Sequence, residues 1–113
     1  MHEMSVTMSL LDLVLGEATK AGASKIVGVS IVLGEMTGII DSFVQANFEL
    51  ISQDTLAEGA ELTFENIPRK ARCRNCDHVF QPTDFQWNCP KCQSLEIEMI
   101  GGNELYVKSI EVE

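Results

Sequence analysis

The sequence predicts an α+β protein: two helices packed on a small mixed three-stranded sheet, with a cysteine-organised lobe inserted ahead of the last strand. Three observations predict it. Apolar residues change from helical to strand spacing in the order helix, strand, helix, strand along the first 67 residues. The four cysteines of the chain then follow as two Cys-x-x-Cys pairs, Cys73–Cys76 and Cys89–Cys92, with twelve residues between them. A strand-like stretch comes after the cysteines, and a single strand is not stable alone, so it must rejoin the earlier sheet.

Residues 5–21 read as an amphipathic helix, because Met4, Met8, Leu11, Leu15 and Ala18 recur at helical spacing with Leu10 and Val14 widening the stripe. The methionines at this spacing read as core filler, not as soft-metal ligands. Gly22 is placed to end the helix in a left-handed turn. Residues 25–33 alternate as a strand, with Val27, Val29, Ile31 and Leu33 on one face and Gly28 and Ser30 on the other. Residues 34–38 read as a loop. Asp41 is then the expected N-cap of a second helix over 42–52, whose stripe is Val44, Phe48 and Ile51 with Phe43 beside it. After a polar connection, residues 60–67 form a second strand with Leu62 and Phe64 inward, closed by Pro68. In the last strand, 104–113, Leu105 and Val107 alternate on one parity and Ile110 and Val112 on the other, so a bulge near Ser109 or burial of both faces is expected.

Two Cys-x-x-Cys turns can aim four thiolates at one centre, a closed tetrahedral S4 cage suited to structural Zn²⁺. Cys73, Cys76, Cys89 and Cys92 are therefore the candidate zinc ligands of a zinc-ribbon lobe. Between the pairs, residues 77–88 read as a hairpin, with Val79 and Phe80 leading in, Pro82-Thr83-Asp84 turning and Phe85 and Trp87 leading out. A redox pair normally stands at a helix N-terminus in a βαβ unit, which this context lacks. A disulfide framework requires an oxidising compartment. No signal peptide and no apolar run of membrane-spanning length is visible, so the expectation is a cytoplasmic protein that does not enter a membrane. The chain divides at Pro68–Arg69 and Gly101–Gly102 into residues 1–68 plus 104–113, an α+β domain, and residues 69–103, the zinc-ribbon domain.

The formal net charge is −9. Residues 69–92 hold Arg69, Lys70, Arg72, Arg74 and Lys91 against Asp77 and Asp84, a local +3, and the rest of the chain carries −12. A zinc tetrathiolate would cancel most of the basic excess and the acidic body would repel phosphates, so nucleic acid is not an expected partner.

Two histidines are present, His2 and His78. His78 reads as an exposed hairpin residue. His2 follows the initiator methionine, and its bulk blocks removal of Met1. The Met1 α-amine, the His2 backbone nitrogen and the His2 Nδ1 can close a five- and a six-membered ring on one metal, a planar nitrogen set suited to Ni(II) or Cu(II), with Glu3 as a fourth ligand. On spacing alone, a mobile terminus that binds nothing stays open.

The opening Met1-His2-Glu3-Met4-Ser5, Gly34-Glu35 after the first strand, the two Cys-x-x-Cys pairs and the ending Val107-Lys108-Ser109-Ile110-Glu111-Val112-Glu113 together resemble the HypA/HybF family of hydrogenase nickel-incorporation proteins. The resemblance spans the chain. It implies a small nickel metallochaperone, not an enzyme, with nickel on Met1, His2 and Glu3, Asp41 as a further candidate, and structural zinc on the four cysteines. It also implies work with a HypB-type GTPase and the [NiFe]-hydrogenase large subunit, with urease maturation proteins as further candidates, and a monomeric or homodimeric state. Met4 stands where the family's usual opening has leucine, a swap that keeps volume and apolarity. Relatives with histidines flanking both zinc turns offer exchangeable ligands, whereas here only His78 is near. The alternative reading is a zinc-ribbon adaptor for protein or nucleic acid, with the Met-His start incidental.

Overall fold

The computed structural model describes residues 3–83, 85 and 88–113. Helix α1 spans Glu3–Lys20, strand β1 Ile26–Gly34, helix α2 Asp41–Ile51 and strand β2 Glu61–Ile67. Strands β3 (Lys70–Cys73), β4 (Val79–Phe80) and β5 (Ile97–Gly101) follow, and β6 (Leu105–Val112) comes last. Two separate sheets result, ordered β2-β1-β6 and β4-β3-β5. Strand β1 is the centre of the first sheet, parallel to β2 and antiparallel to β6. The last strand therefore returns across the cysteine segment, as its isolation in the sequence required.

The core lies between this sheet and the two helices. Val6, Leu10, Leu11, Val14 and Ala18 of α1, Val44 and Phe48 of α2, and Val29, Ile31 and Leu33 of β1 form one buried cluster. The helix stripe is rotated from the expected one. Met8 is 55 % exposed, while Val6 and Thr7 are buried. Thr7 is tolerated there because its hydroxyl donates to the Glu3 carbonyl at 2.5 Å, so no polar group is left unsatisfied. Phe43 is also turned out, at 53 % exposure.

Strand β1 departs from simple alternation through a bulge. Ile26 pairs with Val112 but Gly28 with Glu111, so Val27 is the extra residue. Ile26 thereby takes the fully buried position and Val27 is only half-buried. The expected bulge in β6 is present: Ser30 opposes Ser109 and Ile31 opposes Val107, leaving Lys108 unpaired in the register. That single insertion lets Leu105, Val107 and Ile110 all pack against the core.

Residues 34–38, expected as a loop, contain a short 3-10 turn at Glu35–Thr37. Thr37 stabilises it, donating its hydroxyl to the Gly34 carbonyl and accepting the Ile39 N–H. Asp41 is not the N-cap of α2. Ile40 occupies the cap position and Asp41 is the first helical residue. An isoleucine side chain cannot accept the backbone donors of a helix start, and the side chain that comes to the Ile40 N–H belongs to α1, as described below.

The two sheets meet at a junction between the 3-10 turn and the segment before β6. Met36 donates its N–H to the Gly102 carbonyl at 2.7 Å and Gly34 donates to Glu104 at 2.6 Å. Arg69 donates its backbone N–H to Glu35 at 3.1 Å and pairs its guanidinium with the same carboxylate at 3.1 Å. The approach is close enough that a Cβ on Gly34 would stand 2.1 Å from the Gly102 oxygen.

Candidate metal centres

The four cysteines converge from two turns of the same design. In the first, the Cys73 N–H donates to the His78 carbonyl at 2.9 Å and the Asp77 N–H to the Cys73 carbonyl at 2.8 Å. In the second, the Cys89 N–H donates to Ser94 and the Gln93 N–H to Cys89, both at 2.9 Å. Each turn closes on a residue with positive φ, Asp77 at 61° and Gln93 at 66°. Neither is glycine, so about 1–2 kcal/mol of backbone strain sits at each and must be offset by what the turn holds.

Strand β3 delivers Cys73 into the centre and β4 returns from the first turn to pair with it. Val79 and Phe80 thus form a hairpin with β3 that wraps the first cysteine pair. Among the described residues of the outgoing arm expected in 77–88, Phe85 lies in a turn, 92 % exposed; Trp87, its other marker, and Asp84 lie outside the described residues. His78 is half-buried, not exposed, because its ring stacks on Phe80 with centroids 5.8 Å apart.

Cys73 and Cys89 are buried, Cys76 and Cys92 half-buried, and none is in a disulfide. Their sulfurs all lie within 4.8 Å of one another, with Cys73–Cys92 at 3.6 Å and Cys76–Cys89 at 3.7 Å. A tetrahedral ion with metal–sulfur bonds of about 2.3 Å separates its ligands by about 3.8 Å. The cage therefore fits such an ion with little movement. Donors already face the sulfurs: the Asn75 amide lies 3.6 Å from the Cys92 Sγ and the Lys91 N–H 3.4 Å from the Cys89 Sγ. The Asn75 amide, with the Ser94 backbone N–H, holds the Cys92 thiol down to about 6. The His78 backbone N–H acts in the same direction on Cys76, but burial and the sulfurs of Cys92, Cys89 and Cys73 outweigh it and push that thiol up to about 12. Four thiolates in one small volume repel, and a divalent cation removes that repulsion. Asn75 was missed from the sequence; its place inside a Cys-x-x-Cys turn was the available signal.

The basic residues around the cage are largely engaged. Glu98 accepts from Arg74 at 3.1 Å and from Arg72 at 3.4 Å, and Arg72 also lies 3.6 Å from Asp77. The hydrogen bond from Arg74, then the charge of Arg72, hold the Glu98 carboxyl below its ordinary value. With Arg69 paired to Glu35, three of the five cations of the segment face carboxylates, which further weakens any phosphate-binding surface.

Of the candidate nickel ligands, Met1 and His2 lie outside the described residues. Glu3 is not on a loose end: it is the first residue of α1. Its Oε2 accepts the N–H of Ile40 at 3.3 Å, which brings α1 to the start of α2 one residue before Asp41. The sequence carries no signal for this contact, since Glu3 and Ile40 stand 37 positions apart. Asp41 is half-buried and lines a cavity of ≈ 460 Å³ with Glu35, Asn66 and Pro68.

Comparison with known proteins agrees over the whole length. A family model described as hydrogenase/urease nickel incorporation, metallochaperone, hypA matches residues 1–112. The hydrogenase maturation factor HypA of Dehalococcoides mccartyi is 43 % identical over 113 residues, covering 100 % of this chain and 95 % of that protein. The one from Caldanaerobacter subterraneus is 41 % identical, with both chains covered completely. The solution structure of the Ni metallochaperone HypA from Helicobacter pylori superposes with a TM-score of 0.67 at 32 % identity, covering 99 % of this chain and 97 % of that one. The chain belongs to the HypA family of hydrogenase and urease nickel-incorporation metallochaperones.

Proposed function

We propose that this chain carries Ni(II) on Met1, His2 and Glu3, with Asp41 completing the site, and that Cys73, Cys76, Cys89 and Cys92 hold a structural Zn²⁺. The observation that supports the nickel reading most is the Glu3–Ile40 contact, which sets the first turn of α1 beside Asp41. The zinc reading rests on the tetrahedral spacing of the sulfurs and on the absence of an open position among four ligands of one type. Residues 69–103 act as the zinc-ribbon domain and residues 1–68 with 104–113 as the nickel-binding α+β domain.

In this reading the protein is a carrier and not a catalyst. It works in the cytoplasm, as a monomer or homodimer, receives help from a HypB-type GTPase and hands nickel to the [NiFe]-hydrogenase large subunit. Urease maturation proteins are further candidate recipients. A donor set built on a chain end exchanges its metal faster than a closed cage, which suits transfer for nickel and retention for zinc. Titration of untagged, zinc-loaded protein with Ni(II) tests the reading. One equivalent bound with a planar d–d absorption supports it, and no binding above that of a chain lacking His2 refutes it.

A further inference from the structure

Among the described residues, strand β6 is an edge of its sheet, since the order β2-β1-β6 leaves it paired on one side only. Its inner face is also incompletely covered. Val29, Ile31 and Leu33 of the neighbouring β1 are all at most 3 % exposed, whereas Leu105, Val107 and Ile110 of β6 are only half-buried. The gap is an apolar groove of ≈ 510 Å³ between α1 and β6, lined by Val6, Leu10 and Leu13 on one side and Leu105–Val107 on the other. It continues past Leu13 and Val107 to Ala21 and Ile110. Leu13 is 48 % and Tyr106 52 % exposed at its mouth. An unpaired edge and an open apolar trough on the same strand are complementary halves of a strand-accepting site: backbone pairing along the edge, alternate side chains into the trough.

We propose that β6 accepts an extended segment of a partner protein along Leu105–Val107, with alternating apolar side chains entering the α1–β6 groove and basic residues on its flanks. The Lys108 bulge limits the pairing to this short stretch. Charge selects the occupant. Glu104 directly precedes β6, Glu111 lies near its end and Glu113 follows it, and Lys108 is engaged with Glu65 at 3.3 Å. Two copies paired antiparallel along Leu105–Val107 would bring together two chains of net charge −9, with Lys108, already engaged with Glu65, as the only cation in each β6. A second copy is therefore disfavoured and a segment with lysine or arginine flanks is favoured.

The test uses zinc-loaded, nickel-free full-length protein, so its result is independent of the nickel site. The probes are synthetic peptides alternating valine and threonine around one central phenylalanine, leucine or methionine, with lysine at both ends. Controls carry glutamate at both ends, or N-methyl groups on alternate amides. Expected results are slowed amide hydrogen exchange in β6 and loss of binding on N-methylation. Leu13→Glu should weaken binding by about tenfold or more through the cost of burying a charge. Leu50→Glu, a substitution of an exposed α2 residue outside the groove, should leave it unchanged. The proposal is overturned if no lysine-flanked peptide protects β6 at millimolar concentration, or if the N-methylated peptide binds equally. It is overturned too if sedimentation shows a dimer that Leu13→Glu dissociates, since the groove would then belong to a second copy. The N-methyl control needs no protein variant, so a folding defect in Leu13→Glu does not decide the outcome.

Discussion

Glu3 accepts the backbone N–H of Ile40, so a carboxylate at the start of one helix satisfies a donor at the start of the other. Only Oε2 is used in that hydrogen bond, which leaves Oε1 of the same carboxylate as the candidate metal ligand. Glu3→Ala removes both the acceptor and the candidate ligand, and should weaken nickel binding and speed hydrogen exchange at Ile40. Glu3→Gln keeps a neutral acceptor, and should weaken nickel binding while leaving Ile40 exchange closer to that of the unsubstituted protein. Calorimetric Ni(II) titration with amide exchange separates the two effects.

The chelate at the N-terminus makes a sharper demand. His2→Ala should lower nickel affinity by more than the about 10–100-fold typical of losing an outer-shell partner, with zinc content and circular dichroism unchanged. A Gly-Ser extension before Met1 should do the same while leaving every side chain in place, because it converts the α-amine to an amide. The amine and imidazole have reference values of about 7.7–8.0 and 6.5, so affinity should fall between about pH 8 and pH 6 as protons displace the metal. Equal affinity of native and extended proteins would exclude the amine as a ligand.

Cys73→Ser should lose the metal of the cage and disorder the β4-β3-β5 sheet, because metal ligation is expected to supply about 10–16 kcal/mol in small zinc modules. The helices and the β2-β1-β6 sheet should persist, as their core contains none of the cysteines. Elemental analysis and the dispersion of amide resonances check both halves of this expectation.

Two pH effects have defined signs. Glu98 is held below its ordinary value by Arg74 and then Arg72, so its contribution is present above the unfolded carboxyl value of 4.5 and is lost as pH falls through its lower folded value. Glu98→Gln should flatten the acid limb of the urea-midpoint profile, modestly, since the ion pairs are solvent-accessible. In metal-free protein Cys92 ionises near 6 with the help of Asn75 first and Ser94 second. Asn75→Ala should therefore move the first step of thiolate ultraviolet absorbance to higher pH.

Gly34→Ala tests the junction between the sheets. A methyl group there would stand 2.1 Å from the Gly102 carbonyl oxygen and 2.6 Å from the Glu104 nitrogen, both backbone atoms. Overpacking of this kind costs about 1–3 kcal/mol. Gly16→Ala meets nothing within 4 Å and serves as the control, expected to be neutral or slightly stabilising. Urea midpoints of the two variants give the comparison.

The parts of the fold legible in the sequence are those written in local spacing. The cage was visible because its ligands sit at a fixed interval within each turn, and the β6 bulge because Leu105, Val107 and Ile110 change parity at Lys108. What was not legible depends on atoms distant in sequence. Apolar counting put Met8 in the core and could not see that Thr7 goes inward with its hydroxyl satisfied by the Glu3 carbonyl. Asp41 had the residue type of a cap, but Glu3 comes to Ile40 from another helix and Asp41 moves one place into α2. Val79 and Phe80 are legible as strand residues, but their pairing with β3 is not, because β3 ends on the first cysteine and carries little apolar signal of its own.

The position of β6 also imposes an order of events during synthesis. Central strand β1 waits for a partner that is translated after all four cysteines, so the sheet nearest the N-terminus cannot close until the cage-forming segment has emerged. Until then β1 has β2 on one side and an open edge on the other, the kind of exposed template that invites misassociation. A metal captured by the cysteine segment would favour the folding of β3 to β5, and with it the approach of Gly102 to Gly34 that shortens the search of β6 for its register. Metal supply to the cage would thus bear on how readily the newly made chain completes its first sheet.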